Sequence, residues 1–267
     1  MEHLQSKVLL LVEGQWTEPK IFKQLENIKW HKDAKLEIVH LGTNIYSLYK
    51  AIENLNIDFG NDSTSTLEAL KMILKNNNRQ NDLLKLQGKF PYIYLLFDFE
   101  YQDNLYENKK DILLKMMNYF SDETENGLLL INYPMIESFK DYKEPLPDKN
   151  YKDLSINTTL VKDNKYKSIV NDRGTVKNYS KYTILDFELI FLQNLMKANY
   201  IVNDYYAIPD YNQFIDFVVG KSILEKQFEI INNSQHIKIL CTSIFIFVYY
   251  YGKDYYNYII DTYSHLS

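Results

Sequence analysis

Cysteine is nearly absent from this chain: Cys241 stands alone among 267 residues. A disulfide within the chain and a cysteine-based metal cluster are both excluded, and a reducing, intracellular setting fits. Arginine is almost as scarce, with Arg79 and Arg173 the only two. Arginine is the usual bidentate reader of guanine, so base-specific readout through it rests on two side chains. Positive charge is not in excess either; the formal net charge is −5. That balance argues against a high-affinity, sequence-reading DNA binder. A nuclease stays open, because acidic metal ligands lower the net charge and a bound cation restores attraction for phosphate.

Long apolar runs are missing as well. The most apolar segment, Ile239 to Tyr251, is roughly two-thirds of the ~20 residues a bilayer crossing needs. It predicts a buried helix and no membrane partner. The first residues, MEHLQSK, lack the basic start and apolar stretch of a secretion signal, so the expected location is cytoplasmic. No Gly-rich phosphate loop or Walker motif occurs, and hydrolysis of ATP by this chain is not expected. The five histidines are scattered, and no pair has metal-ligand spacing.

What is present is an alternation of strand-like and helix-like segments. Val8–Val12 (VLLLV) is wholly apolar and reads as a buried parallel strand. It stops at Glu13-Gly14. A helix is predicted from Thr17-Glu18-Pro19, with Thr17 as cap and Ile21, Phe22 and Leu25 on one face. Leu36–Leu41 is a second strand, followed by helical spacing from Ile45 to Leu55. Tyr92–Phe97 (YIYLLF) is a third, ending at Asp98; a helix over 107–120 and a fourth strand, Leu128–Ile131, follow. This rhythm predicts an α/β fold with a mainly parallel, four-stranded sheet flanked by helices. Residues 144–183 are polar and read as a linker or surface excursion. Residues 184–267 read as an all-helical C-terminal domain, and a short helix is predicted near Met135.

Two acidic clusters stand directly after two of these apolar strands. Glu13 and Glu18 follow the first, and Asp98, Glu100 and Asp103 follow the third. Open α/β sheets keep their ligands at the C-terminal edge of the strands. If strands one and three are neighbours, both clusters face one crevice. Clustered carboxylates repel, so the arrangement calls for a cation, and Mg²⁺ is hard and oxygen-loving. Gly14 allows a sharp turn and close approach of a phosphate. Each cluster taken alone is weak evidence, since acids often cap a following helix.

In this order the clusters resemble the Toprim family, which places Glu-Gly after its first strand and Asp-x-Asp after a later one. LLLVEGQWTEPKIF supplies Glu13 and Gly14, and FDFE supplies Asp98 and Glu100. Val12 to Pro19 looks most like the small RloB-like and OLD-like nucleases of bacterial phage defence and abortive infection. The resemblance covers roughly residues 5–142, with a Toprim-like catalytic domain over 1–143 and a helical insertion at about 58–91. It implies that Glu13 is acid/base or metal ligand, and that Asp98 and Glu100 bind Mg²⁺ (or Mn²⁺). Glu18 and Asp103 are further candidate ligands. Glu100 departs from the usual second Asp. Lys140 is the best-placed counterpart of the lysine that OLD-like enzymes use, and Glu137 lies one turn earlier.

The implied activity is metal-dependent cleavage of phosphodiester bonds in RNA (tRNA among them) or DNA. The alternatives are primase-like nucleotidyl transfer and an inactive Toprim that binds a partner or phage product. A separate partner ATPase or sensor protein is an expected companion, and a homodimer is open. The tyrosines between Tyr249 and Tyr258 are expected to pack internally rather than to form a stacking surface. The lysines Lys162, Lys165, Lys167, Lys177 and Lys181 are expected in a solvated loop.

Overall fold

The computed structural model describes residues 6–29, 34–54, 66–87, 89–103, 107–175 and 178–263. The chain divides into two compact units. One comprises Met1–Asp98 with Asn104–Leu130, the other Phe99–Asp103 with Ile131–Ser267. These bounds differ from the division at residues 143 and 183 drawn from composition.

The first unit is built on a sheet. Its elements are β1 (Ser6–Val12), α1 (Thr17–Ile28), β2 (Ala34–His40), α2 (Ile45–Asn54), α3 (Thr66–Asn76), α4 (Gln80–Lys85), β3 (Tyr92–Asp98), α5 (Lys109–Tyr119), β4 (Ser121–Asp122) and β5 (Gly127–Asn132). The strand order is β2-β1-β3-β5-β4. β1 pairs in parallel with β2 on one side and β3 on the other. The architecture is therefore α/β with a mostly parallel sheet, as the alternation predicts. The fifth strand, β4, is a two-residue antiparallel partner of β5, too short to leave a periodic pattern.

The apolar runs become strands because their side chains are covered on both faces. Val8, Leu9, Leu10, Leu11 and Val12 are all fully buried, each contributing roughly 1.5–3 kcal/mol. Helix α1 turns Ile21, Phe22 and Leu25 inward as expected. Its cap differs from expectation: Thr17 is the first helical residue, and Trp16 occupies the cap position without a side-chain cap bond. The 58–91 segment contains the helices α3 and α4; residues 58–65 and 88 lie outside the described residues, as does Leu55. Helix α4 arises in a polar break because Asp82 ties Arg79 and Lys85 together across one turn.

The second unit is mostly helical. It contains β6 (Ser155–Asn157), α6 (Thr158–Lys162), α7 (Tyr166–Arg173), α8 (Ile184–Asn203), α9 (Tyr211–Val219), α10 (Ser222–Ser234), β7 (His236–Lys238) and α11 (Phe245–Tyr263). The 144–183 stretch is more than a surface excursion. It buries Tyr151, Ile156, Val161, Tyr166, Val170 and Tyr182, apolar residues spaced too widely among polar ones to register as a pattern. The C-terminal region is helical except for β7, which pairs antiparallel with β6. The buried helix predicted over Ile239 to Tyr251 accordingly starts only at Phe245.

Helix α8 is the axis of this unit. Thr183 and Asp186 form a capping box at its start. Asn194 Oδ1 accepts from the Tyr151 hydroxyl and the Cys241 amide, both at 2.8 Å. Lys197 is fully buried and donates to the carbonyls of Tyr151 and Leu154 at 2.7 and 2.6 Å. Arg173 forms a forked pair with buried Asp141, at 2.9 and 2.7 Å. Of the tyrosines near the C-terminus, Tyr256 is buried as expected, and the Tyr255 and Tyr263 hydroxyls donate to the two oxygens of Glu188 at 2.6 Å, whereas Tyr258 is exposed. Among the loop lysines, Lys165 pairs with Asp163 and Lys167 with Glu137, while Lys162 lies over the Tyr101 ring. Lys177 lies outside the described residues. Among the described residues no helix is long and apolar enough to cross a membrane.

Candidate metal centre

Parallel pairing of β1 with β3 sets Val12 opposite Leu96, so the residues that follow the two strands leave the sheet side by side. The Glu13 amide still donates to the Leu96 carbonyl at 3.3 Å. One oxygen of the Glu13 carboxylate accepts from the Asp98 amide at 3.2 Å. Glu100 follows two residues after β3. Ligand atoms of Glu13, Asp98 and Glu100 all lie within 4.8 Å of one another. Asp98 is buried, and the other two are half-buried.

The backbone at Glu100 is unusual. Its φ is +46°, the left-handed region that costs a residue with a Cβ roughly 1–2 kcal/mol. The Gln102 side chain donates to Glu100 Oε2 at 2.8 Å, and the Asp103 amide to the Glu100 carbonyl at 3.0 Å. This tight turn draws the third carboxylate back toward β3. Unfavourable backbone held in place at a cluster of like charges is the kind of strain that accompanies function.

Two carboxylates about 4.8 Å apart repel by roughly 3 kcal/mol at an effective dielectric of about 20. Three such pairs together rival the whole stability of a typical domain, roughly 5–15 kcal/mol. The donor set is all carboxylate oxygen, which suits a hard divalent cation. The trio can therefore hold a metal ion.

The other candidates take different places. Glu18 is buried, and its Oε1 accepts from the Gly14 amide at 3.0 Å. It stands outside the three-carboxylate group, as does Asp103. Gly14 has no left-handed φ, but a Cβ there would sit 2.9 Å from Glu18 Oε2, so a larger residue would push the Glu18 carboxylate aside. A glycine lets the Glu18 carboxylate close over the backbone just after Glu13 and fix that turn. Lys140 belongs to the second unit, where its ammonium donates to Asn171 Oδ1 at 3.1 Å. Glu137 is buried beside it and pairs with Lys167 at 3.3 Å.

Sequence reasoning passed over His40 and Arg79. Arg79 donates through Nε and Nη2 to Asp82, at 3.1 and 2.5 Å, and Nη2 lies 2.7 Å from His40 Nδ1. Burial, then the Arg79 charge, holds the His40 imidazole below its ordinary range. Both residues line a cavity of about 490 Å³ that also includes Glu13, Trp16 and Gly42. Arg79 lies 39 residues from His40, so no local signal could have joined them. No protein-family model, curated protein or solved structure matches this chain.

Proposed function

We propose that this protein is a Mg²⁺-dependent phosphodiesterase of the Toprim kind, cleaving RNA or DNA as an effector of phage defence. The observation that carries the reading is the convergence of Glu13, Asp98 and Glu100 within 4.8 Å, after two adjacent strands. Mn²⁺ satisfies the same oxygen ligands.

The three carboxylates would hold the cation, and the Asp98 amide orients Glu13 by occupying one of its oxygens. When bound, the cation supplies Lewis acidity to a phosphoryl oxygen and counter-charge for the leaving oxygen. Hydrolysis adds the oxygen of water to phosphorus, breaks one phosphorus–ester oxygen bond and delivers a proton to the departing ester oxygen, which leaves as a hydroxyl. Glu13, half-buried and lining the neighbouring cavity, is the chain's candidate for taking the proton from water.

The test is direct. Purified protein is incubated with tRNA, single-stranded DNA and duplex DNA, in Mg²⁺ and in EDTA, beside Glu13→Gln and Asp98→Asn. Cleavage in Mg²⁺ alone is expected, with a loss of about 100-fold or more in each variant. Both variants should also melt at higher temperature than the parent in EDTA, since each removes one crowded charge. Cleavage that persists in EDTA, or in both variants, refutes the reading.

A further inference from the structure

The cavity beside Glu13 is built in a way the carboxylate trio does not explain. Trp16 is the most exposed large apolar side chain in the described structure, at 68%. It stands on the cavity wall, at the cap of α1, with the Lys20 ammonium 5.8 Å from its ring centre. An indole presented to solvent next to a cation is unfavourable as packing and well suited to stacking on a nucleobase. Arg79 forms another part of the wall. Its Nε and Nη2 are held by Asp82 and His40, and its Nη1 makes no hydrogen bond among the described residues. Lys85 also pairs with Asp82 at 3.0 Å, so the Arg79 charge is not cancelled. A guanidinium fixed on one edge and open on the other is preorganised for an anionic oxygen.

Gly42 keeps that open edge accessible. Its φ is +65°, and a Cβ there would sit 3.1 Å from Arg79 Nη1. The cavity volume of about 490 Å³ falls in the range of small-ligand sites. Glu13 belongs both to this cavity and to the acidic trio, so a nucleotide seated here would carry its phosphate to the proposed metal centre.

We infer that this cavity is a subsite for one nucleotide of a single-stranded nucleic acid, with Trp16 stacking on the base and Arg79 Nη1 holding a phosphate oxygen. This rests on the phosphodiesterase reading and names its substrate class: single strands or unpaired ends, because a base inside a duplex cannot reach the indole face.

Trp16 and Trp30 are the two tryptophans of the chain, so Trp30→Phe leaves Trp16 as sole reporter. Full-length Trp30→Phe protein is titrated in Ca²⁺ with a 12-nucleotide oligo(U), oligo(dT) and a 12-base-pair duplex. Saturable quenching by the single strands, at least tenfold tighter than any by the duplex, is expected. Adding Arg79→Met should weaken it about tenfold, with Arg79→Lys between. In the cleavage assay, Trp16→Ala should raise KM for single strands about tenfold with kcat within threefold, and Trp16→Phe should recover most of the loss. Trp16 fluorescence that ignores single strands, or follows the duplex equally, overturns the subsite. Metal-dependent cleavage with a silent Trp16 leaves the phosphodiesterase reading standing and removes the subsite alone. Saturable quenching in a protein that cleaves nothing does the reverse.

Discussion

Glu100 shows how one residue can be placed against both its backbone preference and its charge. It takes a left-handed φ of +46° and joins two other carboxylates. Glu100→Gly removes both penalties. In EDTA the variant should be about 1 kcal/mol more stable than the parent, read by urea unfolding. Its Mg²⁺ affinity should fall about tenfold or more, read by calorimetry, whereas Glu100→Asp should retain most of it. A glycine variant that is less stable, or that binds Mg²⁺ as well as the parent, would remove Glu100 from the proposed centre. The sequence made the trio legible because all three acids stand at, or within two residues of, the end of an apolar strand. One contact of Glu18 was not legible: the sequence sets this acid near the trio, and only the structure shows its carboxylate accepting from the Gly14 amide. Hydrogen bonds of that sort depend on a turn whose geometry no residue spacing reveals.

At the level of elements, the strands were readable because β1, β3 and β5 are buried on both faces and so appear as unbroken apolar runs. Elements stabilised by single contacts were not. The pairs Ile156–Ile237 in β6 and β7 and Tyr133–Leu240 join residues about 80 to 110 positions apart, leaving no local trace. The break in α11 is an intermediate case. Gly252 has φ +74° and ψ −161°, a region open in practice only to glycine. A Cβ there would meet nothing closer than the Tyr211 hydroxyl at 4.0 Å, so the cost of Gly252→Ala is almost purely conformational. A loss of about 1–3 kcal/mol is expected in urea unfolding. A neutral substitution would mean that the two halves of α11 join without that conformation.

For the molecule as a whole, Lys197 makes stability respond to pH in an uncommon direction. Complete burial, reinforced by Lys238, drives its ammonium well below the ordinary lysine range. Between that depressed value and about 10.4 the unfolded chain binds the proton that the folded chain gives up, so stability rises with pH, by at most ~1.4 kcal/mol per unit. Buried tyrosines such as Tyr133 and Tyr166, raised by desolvation, act oppositely above about pH 10: folded protein keeps their protons, and stability falls. Urea unfolding between pH 7 and 9.5 should therefore show a positive slope that Lys197→Met flattens. An identical slope in the variant would assign the effect elsewhere.

Strand β1 is hydrogen-bonded along both edges, and every side chain from Val8 to Val12 is shielded from water. Its amides can exchange with deuterated solvent only when the sheet itself opens, so they belong to the slowest class in the unit. Glu13 is attached to the end of that slowest segment. Fluctuations that loosen surface turns therefore leave its anchor undisturbed, and a carboxylate on so firm a base needs little reorganisation when a cation arrives.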